Sequence, residues 1–555
     1  MTRSSTASGT APRTDVVVIG AGINGLSAAA LLAVRGRRVV VLEANDEPGG
    51  AVRTAEITRP GFHHDLFAMN LGLFAGGPVM AALGEDLARH GFELVPSPAP
   101  FCSVFLDGSM LGVEADSDTT ERNVAALSPG DVEAWRALRA KLDEWMPHVG
   151  AIMGSDLPSV AAVRAMARAQ RQLGTAGVLH IARLALSSNR AFTEEHFTEP
   201  RVRAVLAAWG MHLDFPPDLA GGALFSFLET FGGERFGMVI GRGGAGGLIR
   251  ALVSIIEEHG GQVRCGQEVT EVTTADGCAS GVVLSDGSTL EAAAVVANVN
   301  PALLPDLLRN APQTFDQAAS ARAFRPGLAT MMIHLALSDL PHWRAEDARR
   351  FNYVHVGGLL DDMALAYTQA AAGQLPERPV LVVGQPTVSD PSRAPEGKHV
   401  LWVQVRVLPN QPPGGQTWEQ VAPSYADHVL GLLEEYAPGL SDLVLDRSVI
   451  SPADLERHNR NLIGGDSLGG SHHPAQYFFL RPAPGWTRHR TPIKDLYLCG
   501  AGTWPGAGVG GGSGALVADL IAPRRRTVPG MAGAVGGAVS GAVGGVKSRL
   551  GHLSR

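Results

Sequence analysis

The chain has 555 residues, too many for one simple core at roughly one domain per 150 residues, and its 45% hydrophobic and 18% charged content excludes a disordered or collagen-like chain. A net charge of −8 argues against a general nucleic-acid binder, and only Lys141, Lys398, Lys494 and Lys547 are lysines among 46 basic residues, so single arginines carry little weight. Cys102, Cys265, Cys278 and Cys499 form no C-x-x-C pair, which excludes a redox dithiol of the usual spacing, a zinc ribbon and a disulfide scaffold, and points to the reducing cytoplasm.

Residues 1–14 are Ser/Thr-rich without an apolar run and read as a disordered arm. A β-branched strand at 15–20 is followed by glycines, an Ala/Leu helix over 26–35 and a second strand over 38–43. From 76 to 235 helical patterns dominate, with breaks at Ser128-Pro129-Gly130, Pro147 and Pro216-Pro217. Glycines return at 241–247 and lead into a helix over 248–259. Strand-like pieces then begin at Gln262, Glu268, Gly281 and Glu291, with Asp286-Gly287 as a hairpin turn. A mixed region follows, then a strand from Leu496, a glycine-rich turn and a helix starting near Gly510. The end of the chain, 522–555, is low-complexity. Two uncharged stretches, 496–518 and 527–546, reach membrane-span length, but Gly and Ala supply too little transfer energy for either to span.

Gly20-Ala21-Gly22-Ile23-Asn24-Gly25 is a G-x-G-x-x-G pattern set between a strand and a helix, with a second strand ending in Glu43. Gly20 permits a tight turn, Gly22 lets a pyrophosphate approach the backbone, and Gly25 allows close helix–strand packing. The helix N-terminus offers free N–H groups to phosphates. Glu43 is placed to accept hydrogen bonds from ribose hydroxyls and disfavours a 2′-phosphate, so NADP is not expected there. Gly49-Gly50 would let a loop pass close to the diphosphate, with Arg53 as a candidate anion partner. The glycine turn around Gly500 and Gly502 aims a second helix N-terminus at the same ligand, which suits a flavin ring needing a dipole near N1 and O2.

With these motifs the chain resembles, over 15–521, the phytoene desaturase, carotenoid isomerase and carotenoid ketolase group within the amine-oxidase-like FAD superfamily. Within that group it is most similar to the pyridine-nucleotide-disulphide-oxidoreductase-domain branch, although no dithiol is present. Further signposts are 244–252, 281–298 and 490–509. The resemblance implies FAD bound by Gly20, Gly22, Gly25, Glu43, Gly49 and Gly50, by the backbone around Val269, and by Gly500, Gly502, Val509 and Gly510. Three departures from the group are Ala51 after the glycine pair, Thr503-Trp504-Pro505-Gly506 where Thr-His-Pro-Gly is frequent, and Gly469-Gly470 followed by His472-His473 where a His-Gly pair is usual. Trp504 would thereby put a flat apolar ring beside the flavin.

The expected fold is α/β: a Rossmann-type FAD-binding domain in discontinuous segments (15–75, 236–310 and 481–521) with an inserted mixed α+β substrate domain (76–235 and 311–480). The expected function is an FAD-dependent, desaturase-like oxidoreductase acting on an apolar, polyene or isoprenoid-like small molecule in the crevice between the domains. The alternatives are a polyene isomerase using reduced FAD without net redox change, an amine oxidase, and a flavin-binding regulatory protein with little turnover.

No catalytic residue stands out. His472, His473 and Trp504 are weak candidates, the histidines as acid–base groups titrating near neutrality. Tyr477, Phe478 and Phe479 read as pocket lining or core, and His63-His64-Asp65 lacks a third ligand at fixed spacing, so no metal is expected. Residues 157–193 carry Arg164, Arg168, Arg171, Arg183 and Arg190 with no Asp or Glu, interleaved with apolar residues. This reads either as a surface that seeks the inner face of a membrane or as a solvated helix face.

Overall fold

The computed structural model describes residues 14–310, 324–484, 486 and 488–523. Most of the N-terminal arm and most of the low-complexity tail, including 527–546, lie outside them.

The run at the start of the chain forms the strand Thr14–Ile19, whose Val16, Val17 and Val18 are buried on both faces. Such continuous burial is what a central strand of a parallel sheet requires. It lies between Val39–Leu42 and Thr289–Ala297, parallel to both; Gln262–Arg264 extends the parallel array on one side and Leu496–Leu498 on the other. The strand Thr289–Ala297 serves twice. Its first residues pair antiparallel with Cys278–Leu284, and its last with Leu496–Leu498. The turn at Asp286-Gly287 has Gly287 at φ 82°, as the hairpin requires.

One face of this sheet is covered by the helix Ile23–Val34, packed against Gly246–Glu258 and Gly512–Ile521. Three segments far apart in sequence thus share one core, built on Val16, Val18, Val41, Leu26, Leu248 and Val517. Gly514 sets how closely two of the helices approach: a Cβ there would lie 2.1 Å from the Asn24 carbonyl oxygen. The fold class is the expected α/β Rossmann type.

A second sheet runs in the order Val444–Ile450, Ala329–Leu337, His399–Leu408, Val380–Gly384, Tyr353–Val356, Phe101–Val104, Met110–Val113. Helices bury one of its faces, Trp418–Tyr436 among them, while the other turns toward the first sheet's ligand edge.

The region 76–235 is less uniformly helical than expected. Leu94–Ser97, Phe101–Val104 and Met110–Val113 are strands, the last two in the second sheet and the first paired with Met238–Gly241. They are short, and Pro96, Pro98 and Pro100 mask their periodicity. Pro147 does not end a helix either: Val132–Met153 continues through it, because Trp135, Leu138, Leu142, Trp145 and Val149 keep one buried face across the proline. Among the described residues no helix is long and apolar enough to cross a membrane, and 496–518 forms a strand, a glycine turn and part of a helix.

Candidate functional site: a dinucleotide cradle opening into an apolar cavity

The C-terminal ends of the parallel strands open into one cavity of about 3200 Å³. That is several times the ~300–1,000 Å³ of an ordinary ligand pocket, so it has room for a dinucleotide and a further molecule. Gly20, at φ 90°, donates its N–H to the Leu42 carbonyl at 2.7 Å and turns the chain out of the first strand. Gly22 is the N-cap of Ile23–Val34 and, having no side chain, cannot cap the first N–H groups of the helix beside the cavity. Gly25 is the packing glycine: a Cβ there would sit 2.3 Å from the Gly20 carbonyl oxygen.

Glu43 is buried at the end of Val39–Leu42 and lines the cavity. Its Oε2 accepts the Ala21 N–H at 2.7 Å and its Oε1 the Asn45 N–H at 3.0 Å. These bonds fix the carboxylate while leaving each oxygen a lone pair for a hydroxyl. Gly49 donates to the Ala21 carbonyl and Gly50 crosses Gly22, where an added Cβ would lie 3.3 Å from the Gly22 Cα. On the other side stand Val269, Gly500, Gly502, Val509 and Gly510. The Gly500 N–H donates to Ser513 Oγ at 3.0 Å, tying that turn to the start of Gly512–Ile521.

Asn298, which the sequence reading missed, joins the two halves of the cradle. Its Nδ2 donates to the Gly20 carbonyl, and it lies against Gly20, Gly22, Gly25 and Gly500. The only signal was a polar residue closing an otherwise apolar strand run.

Arg53 is not part of the cavity wall. Its guanidinium pairs with Glu47 at 2.5 Å, so the expected anion partner is already neutralised. Trp504 is also misassigned by the sequence reading. It is fully buried among Phe215, Phe225 and Tyr477, with its indole N–H on the Ser155 carbonyl at 2.9 Å, and it does not line the cavity. His473 is exposed and accepts the Ala475 N–H, away from the wall. His472 does line the cavity, but its Nε2 accepts the Ala507 N–H at 3.1 Å, which leaves the proton on Nδ1. Burial, with Arg481 and Arg406 nearby, pushes its pKa well below the ordinary histidine value. It is a neutral group rather than one titrating near pH 7. Tyr477 lines the cavity and donates to the Pro505 carbonyl at 2.7 Å, whereas Phe479 is exposed.

Asp65 and His64 face other partners than a metal. His64 bonds Thr58, and burial pushes its pKa down to about 2. Asp65 pairs at 2.9 Å with Arg393, a fully buried arginine that also holds Asp390 at 3.0 Å and the Gly241 carbonyl at 3.0 Å. Asp65 and Asp390 in turn accept the Ala245 and Gly243 N–H groups. This network fixes the glycine loop that leads into Gly246–Glu258.

Beyond the cradle the cavity runs between the second sheet and the helix Ala223–Phe236. Phe101, Trp209, Phe225, Met332, Tyr353 and Trp402 give it an aromatic and aliphatic wall. Sequence reasoning overlooked the polar groups set in it. Glu229 lines the cavity and makes no hydrogen bond among the described residues, and burial raises its pKa to about 7. His212 meets His355, which does not itself line the cavity, at 3.0 Å, both kept neutral by burial, and Gln404 and Arg406 come from one strand.

The profile of the flavin containing amine oxidoreductases matches residues 23–521. The chain is 28% identical to pyridine nucleotide-disulfide oxidoreductase domain-containing protein 2 of Rattus norvegicus, over 92% of this chain and 93% of that one. It is likewise 28% identical to the neurosporene-forming phytoene desaturase of Cereibacter sphaeroides, over 92% and 95%. Among solved structures, an oxidoreductase from Methanosarcina mazei superposes with a TM-score of 0.62 at 19% identity, over 92% of this chain and 100% of that one. The family profile covers the second sheet and, apart from Thr14–Ile19, the first, and the glycine cradle with its buried acidic residue has the shape and donors that FAD needs; the chain belongs to the flavin containing amine oxidoreductase family and is an FAD-dependent oxidoreductase.

Proposed function

We propose that the protein is a desaturase-like dehydrogenase of an apolar, polyene or isoprenoid-like molecule. The observation that carries this reading is the aromatic and aliphatic cavity continuous with the FAD cradle, and the phytoene desaturase relative agrees with it. FAD supplies a two-electron oxidant when bound. The chain's own residues then have to orient a C–H bond and keep water out, work suited to Trp209, Phe225 and Trp402. His472, neutral and fixed by the Ala507 N–H, is a cavity-wall residue in this scheme, not a base.

The test is anaerobic titration of the yellow holoenzyme. Phytoene in detergent should bleach the flavin, while benzylamine and NADPH should not. Bleaching by benzylamine would favour an amine oxidase. Efficient bleaching by NADPH would require a second nucleotide site, and no bleaching by any of them would favour a flavin-binding protein with little turnover.

An apolar substrate also needs a way in, and we propose that the helix Val160–Leu186 docks the cavity mouth on an anionic membrane surface. Gly174 (φ 69°) breaks this helix in two. Arg183 pairs with Glu195, and Arg190 with Asp218 and Asp361, so two of the five arginines are already neutralised. Arg164, Arg168 and Arg171 are exposed with no ion pair among the described residues, beside exposed Val160, Val163 and Met166. Ala165 and Arg168 line the cavity. Each arginine near such a surface contributes about 1 kcal/mol, screened over ~8–10 Å. Wild type should co-sediment with anionic liposomes at low salt, and changing Arg164, Arg168 and Arg171 to Glu should leave it in the supernatant. Wild type that stays in the supernatant makes this an ordinary solvated helix.

A further inference from the structure

The strand His399–Leu408 has two unlike faces. Leu401, Val403 and Val405 enter the core beneath Trp418–Tyr436. Trp402, Gln404 and Arg406, on the alternate positions, line the cavity. Gln404 is registered opposite Met332, another wall residue.

Both polar side chains are under-satisfied. Gln404 is 9% exposed and its amide makes no hydrogen bond among the described residues. Arg406 is 5% exposed, and no carboxylate lies within salt-bridge distance of it among the described residues. Its Nη1 donates to Ser467 Oγ at 2.9 Å, its Nη2 donates to the His212 carbonyl at 2.5 Å, and its Nε has no partner.

The nearest acidic groups are already engaged. Asp214 accepts from Tyr367 and Ser471, and Asp466 accepts the N–H groups of Gly327, Leu468 and Gly470. Both act on Arg406 through space, against the burial that lowers its pKa. A guanidinium and an amide buried without full partners are costly, and on a cavity wall that cost is recovered when a ligand brings acceptor atoms. Their shared chemistry is donation: an Arg N–H and an amide N–H about two strand residues apart suit the two oxygens of a carboxylate. Across the cavity, Glu229 below about pH 7 presents a neutral carboxyl rather than a competing charge.

We propose that Gln404 and Arg406 form a carboxylate-binding subsite, so that the substrate is an apolar chain ending in a carboxylate and not a hydrocarbon throughout. This rests on the reading of the cavity as the place of an apolar substrate, and it fixes which end of that molecule is buried deepest in polar contacts.

Geranylgeranoic acid and its methyl ester separate the two ideas, with affinity for the holoenzyme measured by isothermal titration calorimetry and flavin absorbance recorded anaerobically. Wild type should bind the acid at least about tenfold more tightly than the ester, the scale of one charge-assisted hydrogen bond. Gln404→Leu and Arg406→Met should each remove that preference while ester affinity stays within about twofold of wild type. Equal binding of acid and ester by wild type, or equal loss of both in the Gln404→Leu protein, overturns the subsite. If Arg406→Met disturbs the backbone it holds, Gln404→Leu decides alone, since that side chain has no bond to lose among the described residues. An acid preference without flavin bleaching by either compound would leave the subsite standing and remove the desaturase reading. Bleaching by the ester without any acid preference would do the reverse.

Discussion

Glu43→Arg protein is expected to fold but to purify without flavin. The carboxylate does two jobs in the structure. It accepts the Ala21 and Asn45 N–H groups at 2.7 and 3.0 Å, holding the glycine turn in shape, and it presents its remaining lone pairs to the cavity. An arginine accepts neither, so both donors lose their partner and the ribose hydroxyls meet a donor instead of an acceptor. Each buried hydrogen bond left unmade costs about 1–3 kcal/mol, so a combined loss of at least ~3 kcal/mol, or about a hundredfold in FAD affinity, is expected. Glu43→Gln keeps one acceptor oxygen and should fall between the two. FAD released on denaturation, measured by absorbance, with circular dichroism as the control for folding, checks this. A folded Glu43→Arg protein carrying a full complement of FAD would refute the assignment of the cradle.

Arg393→Met should be among the most destabilising single substitutions away from the cavity. The arginine is fully buried and joins Asp65, Asp390 and the Gly241 carbonyl. Removing one partner of a buried charge network costs about 3–5 kcal/mol, because the remaining charges lose their compensation. The Asp390 carboxyl, which burial pushes up but Ser392, the Gly243 N–H and Arg393 together hold below the ordinary range, would then favour the protonated form in the folded state. A raised folded pKa gives stability that is present below the unfolded value and lost as pH rises, so the variant should be weakest at pH 8 and recover toward pH 5. Adding Asp65→Asn and Asp390→Asn should restore part of the loss and flatten the pH dependence. Thermal unfolding at pH 5 and pH 8, with flavin fluorescence as a second probe of the attached glycine loop, is the measurement. Equal unfolding temperatures for wild type and Arg393→Met at pH 8 would mean that the network contributes little.

The cradle was legible in the sequence because its parts are local. A β-branched run, three glycines at fixed spacing, a helix and an acidic residue closing the next strand are each set by backbone geometry over a few residues, and Gly20, Gly22, Gly25 and Glu43 occupy the places that geometry requires. The same holds for the hairpin turn at Asp286-Gly287 and the helix after Gly500 and Gly502. Tertiary structure decided what each side chain faces. His472 and His473 are adjacent in sequence, yet one is a buried neutral wall residue and the other is exposed. Trp504 went to the core because Phe215, Phe225 and the Ser155 carbonyl, all distant in sequence, were closer partners than the cofactor side, and Arg53 turned to Glu47 only six residues away. Asn298, Arg393 and Glu229 gain their roles from segments more than a hundred residues away or from a cavity that exists only once both sheets are assembled. Sequence patterns carry backbone conformation and burial period, which are short-range; partner choice and desolvation depend on the whole packed interior, and only the folded chain contains them.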